Sequence, residues 1–184
     1  MRIPAALALV VACATAAAFE ERAAELAGGE TLRYVYVAHA PEAALRVADE
    51  ETGTSALATA VALLRRLAEG RLEEAALLSN APKARYTRLR ESFAGWSAED
   101  FRRTWSRYLE PPNGIVGEAR LGAHRLILWR LEDLDRLTGF FFVEIGGRVY
   151  LDDVPSAERS RLRRLLEALR GAAPEQKSPV LPPS

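Results

Sequence analysis

Between Thr54 and Ala68 apolar residues recur at helical spacing: Leu57, Val61, Leu64 and Ala68 form one stripe, which Ala60, Leu63 and Leu67 widen. This pattern predicts an amphipathic helix, and Gly70 stands where a C-terminal cap is expected. Leu72 to Ser79 predicts a short second helix, stopped by Asn80 and Pro82. Tyr86 to Phe93 reads as further helix up to Gly95. Ser97, with Asp100 three residues on, then makes an approximate capping box for a helix that carries Phe101, Trp105, Tyr108 and Leu109 on one stripe. The run Pro111-Pro112-Asn113-Gly114 ends that helix.

The period changes on either side of this helical block. Before it, Thr31 to Ala38 (TLRYVYVA) is rich in β-branched and aromatic residues between Gly28-Gly29 and Pro41, and predicts a strand at a sheet edge. After it, Ile115–Leu121, His124–Leu131, Gly139–Ile145 and Arg148–Leu151 alternate or run apolar between turn residues, which predicts an antiparallel meander. The Gly146-Gly147 turn fixes a register, because both glycines accept positive φ. Ile145 then faces Arg148, Val143 faces Tyr150 and Phe141 faces Asp152, while Glu144 pairs with Val149, Phe142 with Leu151 and Phe140 with Asp153. Both faces of the hairpin are therefore apolar. One is expected to meet the helices; the other, around Val143, Ile145 and Tyr150, is expected to be covered by the N-terminal strand segment or by a second copy in a homodimer. Ser156 to Arg170 predicts a last helix with Leu162, Leu165, Leu166 and Leu169 buried. The expected fold class is α+β, ordered as N-terminal strand, helices, antiparallel β-meander and C-terminal helix. A single domain is expected over residues 30–170, with a disordered tail over 171–184, where four prolines fall.

Composition narrows the function classes. With 184 residues, 49% of them hydrophobic, the chain holds one good core. Basic and acidic residues number 25 each, so no electrostatic footprint for nucleic acid is present. The N-terminus changes the picture further. Met1-Arg2 and the apolar run Ile3 to Val11, too short to span a bilayer as a mature helix, read as a signal peptide over residues 1–18. Ala14-Thr15-Ala16 and Ala16-Ala17-Ala18 both supply an A-x-A cleavage pattern, placing the mature start at Ala17 or Phe19. Val10-Val11-Ala12-Cys13 resembles a lipobox, which leaves lipidation of Cys13 open beside ordinary cleavage and an uncleaved anchor. The expectation is export to the periplasm or beyond, with the membrane reached only through the leader or a lipid. After ordinary cleavage no cysteine remains for a disulfide or a nucleophile.

The order of elements over residues 54–155, from a LAEGRLEEAALLS-type helix pair to the ribbon FFFVEIGGRVYLDDVPS, resembles the cone-shaped superfamily that includes nuclear transport factor two and ketosteroid isomerase. That resemblance implies a cystatin-like cone whose curved sheet wraps a helix around an apolar interior, used for catalysis, for ligand binding or only as core; it does not fix a function. A second stretch, FAGWSAEDFRRTWSRYL, is similar to periplasmic phospholipid carriers and implies a lipid-binding alternative.

Candidate chemistry is sparse. His39 and His124 are the two histidines, and either would need an orienting carboxylate to act as a base. Asp152 and Asp153 face Phe140 and Phe141 in the inferred register, and apolar neighbours raise a carboxylate pKa. The competing expectation for Asp153 is that it caps the last helix. Trp105, Tyr108, Trp129 and Phe141 are candidates to line an apolar ligand pocket, with core packing as their alternative role. Arg125 and Arg130 are candidates to meet an anionic head group. No metal site and no cofactor are expected, since two histidines without a cysteine cluster match no familiar ligand spacing. The leading expectation is non-enzymatic binding of a partner protein or an apolar ligand. The rival is a pocket enzyme of the isomerase or dehydratase kind with Asp152 or His124 as base.

Overall fold

The structure, a computed structural model, describes residues 19–171. Six antiparallel strands lie side by side in sequence order: β1 (Phe19–Glu25), β2 (Thr31–Ala38), β3 (Gly114–Leu121), β4 (His124–Leu131), β5 (Arg136–Ile145) and β6 (Arg148–Leu151). Between β2 and β3 come α1 (Ala56–Ala68), α2 (Leu72–Ala76), α3 (Pro82–Ser92) and α4 (Ala98–Ser106), and the chain closes with α5 (Ala157–Gly171). The fold is thus mixed α and β, with a six-stranded meander.

Helices lie on both faces of the sheet, so the central strands are apolar on both sides. On β4, Ile127 and Trp129 join Val61, Leu64 and Leu67 of α1 in one buried cluster. The alternate residues Leu126 and Leu128 join Leu162, Leu165 and Leu166 of α5 in the other. Successive side chains of a strand point to opposite faces, which is why HRLILWRL reads as a nearly unbroken apolar run. Of the expected α1 stripe, Val61 and Leu64 are fully buried, as is Leu67 beside it, while Leu57 and Ala68 are half-buried; Ala58, Thr59 and Ala62 are buried too, so α1 is enclosed on more than one side, and the Ser55 hydroxyl accepts the Ala58 N–H as its cap. Ser97 caps α4 in the same way through the Asp100 N–H, and its hydroxyl donates to the Asp100 carboxylate at 2.7 Å.

The β5–β6 register is the one the glycine turn demands: Phe142 pairs with Leu151, Val143 with Tyr150, Glu144 with Val149 and Ile145 with Arg148, with φ of 59° at Gly146 and 76° at Gly147. The second apolar face of this ribbon lies on the side of α5, with Val143 buried and Ile145 left exposed.

Several expectations change. β2 is not an edge, because β1 pairs with it from Phe19↔Val37 to Glu25↔Thr31 and takes the edge itself. The sheet therefore begins before residue 30. β1 is nearly all exposed, so FEERAAE carries no burial pattern from which to read a strand. β5 starts at Arg136 rather than Gly139, and α3 starts at Pro82, whose fixed φ suits the first turn of a helix. Asp153 does not cap α5. The Ser156 hydroxyl does, accepting the Arg159 N–H at 3.0 Å, while the Asp153 carboxylate is engaged elsewhere. The expected leader, its lipobox at Cys13 and the proline-rich tail beyond Gly171 lie outside the described residues.

Candidate functional site

Five chain segments bring polar side chains to one corner of the molecule. Just before α3, residues 78–80 run parallel to the end of β6: the Leu151 N–H donates to Leu78 O at 2.8 Å and the Asn80 N–H to Leu151 O at 3.0 Å. That pairing sets Ser79 and Asn80 against Asp152 and Asp153. The Ser79 hydroxyl donates to Asp153 Oδ2 at 2.7 Å, and the Asn80 amide donates to Asp152 Oδ1 at 3.1 Å while its oxygen accepts the Asp153 N–H at 2.8 Å. Both aspartates are buried, and both are satisfied.

The two weak catalytic candidates meet here. His124, at the start of β4, places Nδ1 2.9 Å from Asp152 Oδ2. With Asp152 holding a proton on Nδ1, Nε2 is the free ring nitrogen, and it points toward the half-exposed carboxylate of Glu158 on α5, 4.0 Å away. A buried carboxylate fixing a histidine tautomer is the orienting half of an acid–base site. Trp129, on the opposite face of β4, is not part of this corner.

Cations complete it. Arg88 Nη2 lies 2.8 Å and Arg85 Nη1 3.7 Å from Asp153 Oδ1. Burial pulls the Arg85 guanidinium below its ordinary pKa; Asp153 opposes that shift, and the like charges of Arg88 and Arg159 add to it. Arg159, on α5, lies over the Phe141 ring at 5.7 Å. The sequence offers no signal for this convergence. Asn80 reads only as a helix stop, and Ser79, Arg85, Arg88 and Arg159 belong to separate elements whose spacing encodes nothing about their meeting.

The aromatic candidates divide between the two faces. Trp105 stacks on Tyr108 at 5.8 Å, Tyr108 meets Trp129 edge-on at 6.2 Å, and the Trp129 indole N–H donates to Tyr108 O at 2.9 Å. Phe140, not Phe141, joins this group, 5.5 Å from Tyr108; Phe141 packs on the α5 side, because adjacent residues of β5 face opposite ways. Beside Tyr108 and Trp129 opens a cleft of about 260 Å³, walled by Leu109, Pro41 and Pro112, with Leu45 at its rim. Its lining is mostly apolar, with Glu42 and Asn113 as its polar members. Leu45 belongs to the 3₁₀ turn Pro41–Arg46 and is 57% exposed.

The arginine candidates are spoken for. Arg125 pairs with Glu144 at 3.1 Å and lies 3.6 Å from Glu118, and Arg130 pairs with Asp135 and Glu132. Glu118, 3% exposed, sits between Arg120 at 2.7 Å and His39 at 3.7 Å. Burial opposes its charge, but His39 and Arg120 outweigh that and hold the carboxyl below the usual range.

Among the described residues no three His, Cys, Asp or Glu side chains gather as a metal-binding set, and no helix is long and apolar enough to cross a membrane. No protein-family model, no curated protein and no solved structure matches the chain.

Proposed function

We propose that this chain is an exported cell-envelope protein that acts by binding, not by catalysis, and that it takes an apolar side chain of a partner protein in the cleft beside Tyr108 and Trp129. The carrying observation is the cleft itself. At about 260 Å³ it falls below the several hundred Å³ typical of small-molecule pockets, and one bulky side chain fills it. Interfaces concentrate their energy in such anchors, seated in apolar sockets and ringed by exposed groups. Leu45 at the rim supplies an exposed apolar contact that folding leaves without a partner. The reading does not depend on a cystatin-like cone, and it favours a protein partner over the lipid-carrier alternative.

Random peptides displayed on phage and selected on the full-length protein test it. Enriched peptides are expected to share a Trp, Phe or Leu anchor and to lose binding to Leu45→Asp, an exposed substitution that leaves folding intact. An absence of enrichment, or peptides indifferent to Leu45→Asp, rules the cleft out.

The His124–Asp152 pair favours a second reading, a site with His124 Nε2 as base. Against it stands the setting of Nε2, which faces Glu158 and not the cleft beside Trp129. A solution pKa of His124 that is insensitive to Asp152→Asn would end that reading.

A further inference from the structure

The corner between α3 and α5 gathers three guanidinium groups, and their hydrogen-bonding capacity is not met within the fold. Asp152 is committed to His124 and Asn80. Asp153 is the one carboxylate paired with Arg85 and Arg88, and Arg159 has no acidic partner within 4.0 Å among the described residues. Glu158, the remaining acid of the corner, is half-exposed and turned toward His124. Arg85 and Arg88 thus share one carboxylate, and Arg159 stands beside them without one. Two of them, Arg85 and Arg159, also keep a buried Nε–H with no hydrogen-bond partner. A buried donor left unpaired is costly, and a desolvated cation repelled by two others is costlier. An arrangement of this kind is stabilised by an anion that accepts several N–H groups at once, and guanidinium groups match the geometry of phosphate oxygens.

We propose that Arg85, Arg88 and Arg159 form a phosphate-binding site at the α3–α5 corner, beside the His124–Asp152 pair. The site lies between α3 and α5 at the end of the sheet, shares no residue with the lining of the apolar cleft, and does not rest on the function proposed for that cleft. The phosphate enters between α3 and α5 and takes the two orphaned Nε–H donors, with Arg88 shared between it and Asp153. A free phosphate ester and a phospholipid head group present the same oxygens, so the site chemistry is common to both.

Isothermal titration of the full-length protein with inorganic phosphate, against chloride at equal ionic strength, tests the site. Saturable one-to-one binding is expected, with a rise in melting temperature. Arg159→Met keeps an unbranched side chain of similar reach and removes the guanidinium; it should weaken binding by about tenfold, the value of one charge-assisted contact. Arg163→Met, on the exposed side of α5, should bind as the native protein does. Should Arg159→Met fold poorly, Arg88→Gln, at a half-exposed side chain, repeats the test. Sedimentation with phosphatidylglycerol vesicles then separates the sources: Arg159-dependent pelleting assigns a lipid head group, and phosphate binding without pelleting assigns a soluble ester. Phosphate heats that do not saturate, or equal binding by Arg159→Met and the native protein, overturn the proposal.

Discussion

Ser79 and Asp153, far apart in the chain, are joined by a hydrogen bond of 2.7 Å that fastens the helical layer to the end of the sheet. The same hydroxyl accepts the Ala81 N–H at 2.9 Å, so one small side chain satisfies both the entry to α3 and a buried carboxylate. Asp153→Ala removes the acceptor for Ser79 and the counter-charge for Arg85, a buried cation, and should cost about 3 kcal/mol. Ser79→Ala leaves the carboxylate in place but one hydrogen bond short, and should cost about 1–2 kcal/mol. Urea unfolding of both variants measures the difference. A loss under 0.5 kcal/mol for Asp153→Ala, the usual scale of a surface change, would mean the corner does not hold the layers together.

Tyr36 lies across Gly117, and its hydroxyl donates to Val116 O at 2.9 Å, where a bulge shifts the β3–β4 register. A Cβ at residue 117 would press into the Tyr36 ring, well inside van der Waals contact. Gly117→Ala should therefore cost about 1–3 kcal/mol by overpacking. In a Tyr36→Ala background the same change should cost much less, because the clashing ring is gone. Equal losses in both backgrounds would place the cost in the backbone instead.

How much of this was legible follows from where each residue's constraint lies. The β5–β6 pairing is readable because Gly146-Gly147 fixes a two-residue turn, and the α5 stripe because Leu162, Leu165 and Leu166 are buried at helical spacing, with Leu169 half-buried at its end; α1 is buried without a break from Ala58 to Leu64, so its spacing marks a helix but not a single buried face. β1 is not readable, since an exposed edge strand buries nothing to mark its alternation. Asp153 misled for a related reason. An acid just before a helix satisfies the local rule for a cap, but Ser156 stands closer to α5, and the tertiary partners Ser79 and Arg88 claim the carboxylate. His124 and Asp152 are each candidates on sequence grounds, yet their contact depends on β4 and β6 each pairing with β5, a relation that no spacing along the chain expresses.

Glu118 gives the fold a defined acid sensitivity. Its carboxyl is held below the ordinary value in the folded state, with burial outweighed by His39 and Arg120. A group with a depressed folded pKa stabilises the native state above its unfolded pKa, and that stability is lost as pH falls through the folded value. Unfolding free energy should therefore drop on acidification below the ordinary glutamate range. Glu118→Gln should be less stable at neutral pH and should show a shallower acid decline. Parallel pH profiles for variant and native protein would remove Glu118 as the cause.

Phe19 makes the first ladder pair of the sheet, opposite Val37, and Arg120 lies 5.1 Å from the centre of its ring. If the leader is cleaved, the two A-x-A patterns would place the first mature residue at Ala17 or at Phe19 itself. Cleavage at either point leaves every pair of β1 intact, so processing and folding are compatible without rearrangement. Lipidation at Cys13 would instead make that residue the first of the mature chain. Expression in a Gram-negative host should yield a periplasmic product whose intact mass begins at Ala17 or Phe19. A product that keeps residue 1 in the cytosolic fraction would refute export, and a diacylglycerol mass increment on Cys13 would replace free export with anchoring. Phe19→Glu, at an exposed position, should leave secretion unchanged when cleavage follows Ala16. It should shift the cleavage site when the peptidase reads Ala16-Ala17-Ala18, because the altered residue would then lie directly after the cut.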